Sequence, residues 1–569
     1  MSLIIKYLRP YFRRMSLGLA IKLFGTVMDL LLPLILAHII DVVAPTKDMK
    51  AVLLWGGLMV LCSIMALLCN VVANRKASAV ARDTVTGLRH DLFEKISYLS
   101  NRQVDHFTIP SLIARMSTDS YYVYRMVGMM QRIGVRAPIL VLGGILVTYT
   151  LDVVLATVLL CMLPLMAVVV VYISRRSVPQ FGQLQRSVDH MVRVVRENAE
   201  GVRVIKALSR TEAEKTRFEE INRQIMRDEN RANSTMAITK PAMNLMLNTG
   251  LVLVVVVGAY RVNAGVTGVG TITAFLTYFT IILNAVLSIN RVVTMYAKAL
   301  ASAQRIQRVL DAESELQEME MPVGDPEKHL EFEHVHFAYN DSKEHLQDIH
   351  FSLRRGQRLG IIGPTGAGKS TIASLLMRFY DVNTGAVRIG GQDVRSMDKA
   401  ELRRRFGVVF QHDTLFRDTI GGNIRLGREI DLEQVDRAIE DAQAAAFVEN
   451  AGGLDAWVES RGANYSGGQK QRMLIARALA GHPEILILDD SSSALDYRTD
   501  AALRGKLAEH YRDTTTVIIA QRVSSVMHCD KILVLEEGQM LGFGTHEELL
   551  KTCDLYREIA ETQMGEVQA

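Results

Sequence analysis

The stretch Leu359-Gly360-Ile361-Ile362-Gly363-Pro364-Thr365-Gly366-Ala367-Gly368-Lys369-Ser370-Thr371 decides the fold of half this chain. A short apolar run leads into the pattern GxxxxGK[ST], and a helical pattern follows it. Glycines at these places let successive backbone N–H groups turn inward around phosphate oxygens. The N-terminus of the following helix adds its positive end to the same spot. The nine residues Gly363, Pro364, Thr365, Gly366, Ala367, Gly368, Lys369, Ser370 and Thr371 are therefore expected to cradle a nucleotide. Lys369 is expected to bridge its β- and γ-phosphates, and Ser370 to ligate Mg2+. A second buried strand, Ile485-Leu486-Ile487-Leu488, ends on Asp489, whose carboxylate is expected to complete the Mg2+ shell directly or through water.

Outward from this core, composition points to a second, different half. The chain has 569 residues, too many for one ordinary domain. Apolar residues make up 49% and the mean hydropathy is +0.14, which favours a membrane protein with a soluble part. A net charge of +4 gives no basic field of the kind that binds nucleic acid. The five cysteines, Cys62, Cys69, Cys161, Cys529 and Cys553, have no metal-ligand spacing and read as buried, reduced thiols.

A spanning helix needs about 20 mainly apolar residues. Six stretches qualify: about 16–43, 51–73, 127–149, 152–173, 243–262 and 271–294. Arg132 and Arg136 interrupt the start of the third. Basic residues crowd segments 74–126 and 174–240, while the alternate connections are short and carry few charges. That asymmetry places both long loops and both termini in the cytoplasm of a multi-pass protein of the cell membrane. The long loops keep helical spacing, as in Leu88, Leu92, Ile96 and Leu99, so they read as helices that leave the bilayer and return. Asp105-His106-Phe107 and Ser209-Arg210-Thr211-Glu212 read as their tips. Met1 to Ser16 carries charges but no cleavable apolar core followed by small residues, so it does not read as a signal peptide. Leu3, Ile4, Tyr7, Leu8, Tyr11 and Phe12 beside Lys6, Arg9, Arg13 and Arg14 suit an amphipathic helix lying on the membrane face.

Ionisable groups inside spans are costly and often line a pathway. Lys22 and Asp29 share one face of the first span. Lys22 is expected to snorkel to the inner interface, and Asp29 either to pair with a neighbouring helix or to face a substrate path. Asn248, Asn284 and Asn290 read as hydrogen bonds between helices. Helical pattern continues to Leu310, then an acidic stretch and Pro322, Gly324 and Pro326 mark a linker. The domain reading is a transmembrane domain over 1–310, a linker over 311–328 and an α/β nucleotide-binding domain over 329–569.

Tyr465-Ser466-Gly467-Gly468-Gln469 is similar to the signature LSGGQ except at its first residue. Val335-His336-Phe337-Ala338-Tyr339 resembles the strand whose aromatic stacks on adenine, Val408-Val409-Phe410-Gln411 the Q-loop, and Ser493-Ala494-Leu495-Asp496 the D-loop. With the phosphate loop these stand in the order found in ABC exporter half-transporters, and nearly the whole chain resembles that family. The resemblance implies an α-helical six-span transmembrane domain fused to an α/β P-loop nucleotide-binding domain, with ATP and Mg2+ as cofactors. It implies that Tyr339 stacks on adenine, that Gln411 senses Mg2+ and water, and that Ser370, Gln411 and Asp489 surround the metal. It also implies that two such domains stack head to tail, so that Ser466, Gly467, Gly468 and Gln469 face ATP held by the opposite phosphate loop.

Against that pattern two residues depart. Asp490 stands where a hydrolysing member has Glu, and Gln521 where it has His. The shorter acid falls back by about 1.5 Å, one carbon–carbon bond. Misplacement near that size costs up to 10²-fold, and loss of general-base assistance typically 10²–10⁴-fold. Gln521 reaches a γ-phosphate but has no imidazole to carry a proton. A third departure precedes the signature, where Val458-Glu459-Ser460-Arg461-Gly462 shifts the Glu of the family's Glu-Arg-Gly run. The expected partner is thus a second, non-identical half-transporter whose competent site this chain's signature completes. The cargo is a hydrophobic small molecule or lipid. The alternatives are a slow homodimeric exporter and an ATP-gated regulatory subunit.

Overall fold

The computed structural model describes residues 2–313, 316–339, 343–491 and 494–564, apart from the side chain of Asn290. The chain divides into two compact units. The first comprises 1–97 and 110–312, the second 98–109 and 313–569.

Among the described residues of the first unit, six helical stretches are long and apolar enough to cross a membrane. They are α1 (Ser2–Thr46), α2 (Met49–Ser97), α3 (Ile109–Leu151), α4 (Val153–Glu200), α5 (Thr211–Asn263) and α6 (Val269–Leu310). Each expected span lies within one of them. They run 42 to 53 residues, well beyond the ~20 a bilayer needs, so the long basic loops are continuations of the spanning helices. The α6 helix is the hub. Phe279, Ile282 and Leu283 pack on Leu159, Met162 and Met166 of α4 and Met243 of α5. Its Ala274, Tyr278 and Ala285 pack on Leu30 of α1 and Leu140 of α3. A side chain at Gly250 of α5 would collide with the Phe279 ring, so a small residue there permits the close helix approach that membrane packing relies on.

Several polar groups within the spans are partnered. The Asp29 carboxylate accepts from Arg136 at 2.9 Å and from Asn70 at 3.3 Å. The arginine that interrupts the third span is therefore the counter-charge of the aspartate in the first. Lys22 does not snorkel: it is 3% exposed and donates to Asn70 and Asn74 at 2.8 and 3.0 Å. Two carboxamides one helical turn apart on α2 supply the acceptors that the expectation sought in the interface. The Asn284 amide bonds the Thr280 carbonyl of its own helix rather than a neighbouring one. The amphipathic start also differs from expectation. Leu3 and Ile4 are buried in protein, and the Tyr7 hydroxyl donates to Asp91 on α2 at 2.6 Å. All five cysteines are free thiols; Cys62, Cys529 and Cys553 are buried, whereas Cys161 is exposed on α4 and Cys69 only partly covered.

The second unit holds strands β1 (Leu330–Phe337), β2 (Leu346–Leu353), β3 (Arg358–Ile362), β4 (Thr384–Ile389), β5 (Gln392–Asp393), β6 (Phe406–Val409), β7 (Asp418–Thr419), β8 (Trp457–Val458), β9 (Ile485–Asp489), β10 (Thr515–Ile519), β11 (Lys531–Glu536) and β12 (Gln539–Gly544). All but the β7–β8 pair join one sheet in the order β5-β4-β1-β2-β12-β11-β3-β10-β9-β6. β11, β3, β10, β9 and β6 run parallel, and β4, β1 and β2 pair antiparallel. The parallel strands are nearly continuous apolar runs because both faces are covered. The short helix Asn101–Phe107, one of the expected tips, packs in this unit. The Tyr380 hydroxyl donates to its Asp105 at 2.8 Å, and its Gln103 donates to the Glu313 carbonyl at 2.5 Å.

Asp41 caps the start of α6, accepting from the backbone of Gly270 at 2.5 Å and Thr271 at 2.8 Å and from the Thr271 hydroxyl at 3.0 Å. Loss of a cap typically costs about 1 kcal/mol and up to about 2. Asp41→Ala should therefore lower the thermal midpoint of the purified protein, and Asp41→Asn, which keeps an acceptor, should lower it less. Equal midpoints for Asp41→Ala and the unsubstituted protein would remove this role.

Candidate functional site

The loop Gly363–Gly368 leaves the end of β3 and enters α7 (Lys369–Leu376). Two glycines make the turn. Gly368 has φ +96, and a side chain on it would strike Leu346. A Cβ on Gly363 would meet the Leu535 carbonyl of β11. Lys369 folds back over the loop, donating to the carbonyls of Gly363 and Pro364 at 2.8 Å each. Burial pulls its pKa down. The ammonium is thus held against the loop's own carbonyls.

Parallel pairing sets the rest. In register Ile361 lies beside Ile519 of β10, and Ile519 beside Asp489 of β9. The segments that follow these strands therefore emerge side by side, as the ends of parallel strands do at ligand crevices. A cavity of about 260 Å³ opens there. Thr365, Gly366, Gly368, Lys369, Ser370 and Thr371 line it together with Gln411, Asp489, Asp490 and Gln521. Asp489 is buried, and burial pushes its carboxyl pKa up; the Ser370 hydroxyl donates to it and opposes that shift. Hydroxyl, carboxylate and carboxamide oxygens from Ser370, Asp489 and Gln411 are the hard donors that suit Mg2+, so the residues present fit the metal the motif implies. Asp490 has left-handed backbone, φ 49, and its N–H donates to the Ile519 carbonyl at 2.8 Å.

Other expected residues lie elsewhere. Tyr339 lines a separate cavity of about 100 Å³ with Phe337, Phe379 and Tyr380. It borders the first cavity through its hydroxyl, 3.3 Å from Thr371 Oγ1, and its ring stands edge-on to His345. Ser466 is the N-cap of α8 (Gly467–Leu479). The Gln469 side chain accepts from the Ser466 N–H at 2.9 Å, a capping box that holds the exposed turn of Ser466 and Gly467 in place. That turn does not line the phosphate-loop cavity. Tyr465 anchors by its hydroxyl to the Trp457 carbonyl at 3.3 Å. The displaced Glu459 lies 3.7 Å from Arg417. Of the D-loop residues, Ser493 lies outside the described residues, and Asp496 caps the helix Tyr497–His510.

Sequence reasoning missed His345, which lines the cavity, and Gln563. Helix Tyr497–His510 is α9, and Gln563 lies on α10 (Asp554–Met564), from which its carboxamide bridges the loop that carries Gln521. It donates to the Gln521 carbonyl at 2.9 Å and accepts from the Val523 N–H at 2.8 Å. Buried Tyr556 and Ala560 hold α10 in the core with Val523, Val526 and Leu549. No local motif marks Gln563; its only sequence signal is the apolar helical spacing that precedes it. Gln563→Ala should speed amide hydrogen exchange at Val523 without unfolding the domain. Unchanged exchange there would show that the bridge does not hold the loop.

Residues 15–286 match the family model described as ABC transporter transmembrane region, and 346–493 match that described as ABC transporter. The chain is 33% identical to the uncharacterized ABC transporter ATP-binding protein YfiB of Bacillus subtilis (strain 168), covering 99% of this chain and 98% of that one. It is 30% identical to the putative ABC transporter ATP-binding protein exp8 of Streptococcus pneumoniae serotype 4, covering 99% and 97%. A solved structure of a bacterial Atm1-family ABC exporter with ATP bound superposes with a TM-score of 0.83 at 26% identity, over 98% of this chain and 99% of that chain. An ATP-binding domain and a multi-pass membrane region on one chain make an ATP-driven translocase that acts as a dimer in a membrane. The chain belongs to the ABC transporter family, as an exporter half-transporter in which a transmembrane region is fused to the ATP-binding domain.

Proposed function

We propose that this chain is one subunit of a heterodimeric exporter of hydrophobic drugs or lipids, and that its own nucleotide site holds ATP but cleaves it poorly. The transmembrane domain ends near 310 and the cytoplasmic nucleotide-binding domain starts near 329. Lys369 and the loop N–H groups grip the phosphates, Ser370 and Asp489 with Gln411 hold Mg2+, and Tyr339 closes on adenine. Ser466, Gly467, Gly468 and Gln469 serve ATP bound by the partner.

The observation that carries this reading is the pinned backbone of Asp490. Its N–H is tied to β10 through the Ile519 carbonyl, so the main chain is not free to advance and replace the missing methylene. Gln521, which lines the same cavity, offers an amide where a proton carrier is wanted. Two such sites in a homodimer would leave neither competent; a partner carrying Glu and His would restore one. For the cargo, the first unit has a cavity of about 510 Å³ whose wall mixes Leu32, Ile133, Leu140 and Ile281 with Asn284, Ser288 and the Asp29–Arg136 pair. Such a wall suits an apolar or amphipathic molecule.

Two measurements test this. The chain purified alone should bind ATP, lose binding with Lys369→Ala, and turn over slowly. Co-purified with its partner in vesicles, Asp490→Glu should raise turnover by about tenfold or more, the scale of a positioning defect. Brisk hydrolysis and transport by the chain alone would overturn the two-chain reading.

A further inference from the structure

The β1–β2 hairpin carries an unassigned cluster of metal-ligating side chains. Its antiparallel register shifts between Phe332 and Val335, and again before Phe337. At the first shift His334 and Asp348 both adopt left-handed backbone, φ 44 and 50, a conformation uncommon outside glycine. Such bulges re-aim side chains. Here the result is convergence. His334 Nδ1 lies 2.6 Å from one Asp348 carboxylate oxygen. His350 Nδ1 lies 3.8 Å from the other and 3.0 Å from the Asp348 carbonyl. The two imidazole centroids are 5.2 Å apart. One donor atom from each residue falls within 4.8 Å of the others.

We propose that His334, Asp348 and His350 form a binding site for a divalent transition-metal ion of the Zn2+ or Co2+ class. The donor set decides the class. Two imidazoles and one carboxylate suit Zn2+, Co2+ or Ni2+, whereas Mg2+ and Ca2+ take oxygen ligands, so the ion that accompanies ATP does not compete. Metal–ligand bonds of about 2.0–2.1 Å in a tetrahedron set donors about 3.3–3.4 Å apart. The present separations of 2.6 and 3.8 Å lie on either side of that value. All three side chains are at least half exposed, so small side-chain rotations bring the donors to the ion without moving the strands. Three protein donors leave the fourth position to water. The other comparable cluster among the described residues, His90, Asp91 and Glu94, has a single imidazole. Its Asp91 already accepts the Tyr7 hydroxyl, so it is the weaker candidate and an internal control. The ion would tie β1 to β2 across the bulge, in the hairpin whose far end carries Tyr339 and His345.

The test uses the full-length protein in detergent, stripped of metal and free of nucleotide. Co2+ titration at neutral pH should give the visible absorption of a tetrahedral site with about one equivalent bound, and Zn2+ should displace it. The double variant His334→Ala/His350→Ala should weaken binding by about tenfold or more, while His90→Ala leaves it unchanged. Retained ATP binding shows that the double variant is folded. Absence of the cobalt band and of Zn2+ binding, or equal binding by the double variant, overturns the proposal.

Discussion

The nucleotide site depends on the parallel alignment of β3, β10 and β9. Each strand is largely buried, β3 and β10 turn apolar after their polar first residues, and each gives its site chemistry only where it ends. β3 delivers the phosphate loop, β9 delivers Asp489 and Asp490, and β10 delivers Gln521. Because Ile361, Ile519 and Asp489 lie abreast, a slip of one residue would turn each strand's side chains to the opposite face and carry Asp489 away from Ser370. The ladder thus fixes the spacing between a hydroxyl, a carboxylate and an ammonium without needing those groups to attract one another. Burial even works against the charged forms of Lys369 and Asp489. The charges are held in place by the sheet, and the cost of burying them is the reverse side of their hold on a phosphate and a cation.

The membrane unit obeys a related constraint. An unpaired polar group in hydrocarbon is expensive, and Lys22, Asp29 and Arg136 each find a partner on another helix. Lys22, Asn70, Asn74, Asp29 and Arg136 form one connected chain of contacts across α1, α2 and α3. Asp152 caps the start of α4 through Val154 and Leu155 and binds Arg261 of α5 at 2.6 Å. Asp41 does the same for α6. These contacts set helix neighbours in a medium where apolar faces alone discriminate poorly.

Local pattern made the architecture legible before the structure. Apolar windows located every spanning helix, and GxxxxGK[ST] located the phosphate loop, because both signals lie within a few turns of chain. What escaped were contacts between residues far apart in sequence. Lys22 reads from sequence as a snorkelling cation because its two acceptors are 48 and 52 residues away and become neighbours only where α1 and α2 pair. Asn284 was expected to reach another helix, yet its own Thr280 carbonyl was nearer. Gln563 is separated from Gln521 by a whole β-hairpin and two helices, and a lone glutamine near a C-terminus gives no signal of what it holds. The helix 101–107 had its tip character legible in its polar turn, but its packing with residues of the second unit is a product of the folded surface.

One buried group joins parts of the site that sequence treats as separate motifs. Arg477, on the same face of α8 as the core, donates to the Asn423 carbonyl at 2.9 Å, the Asn423 side-chain oxygen at 3.1 Å and the Thr414 carbonyl at 3.0 Å, and lies 3.4 Å from Asp413. Asp413 and Thr414 follow Gln411 almost directly, and α8 begins at the Ser466 turn. Burial lowers the pKa of Arg477, so its charge is held by these acceptors rather than by water. Moving the Gln411 segment without α8 would strand buried donors, at about 1–3 kcal/mol for each bond left unmade. The two segments are therefore mechanically one piece. Gln411 lines the phosphate-loop cavity and Ser466 opens α8, so the guanidinium of Arg477 joins the segment that reaches that cavity to the helix behind the Ser466 turn.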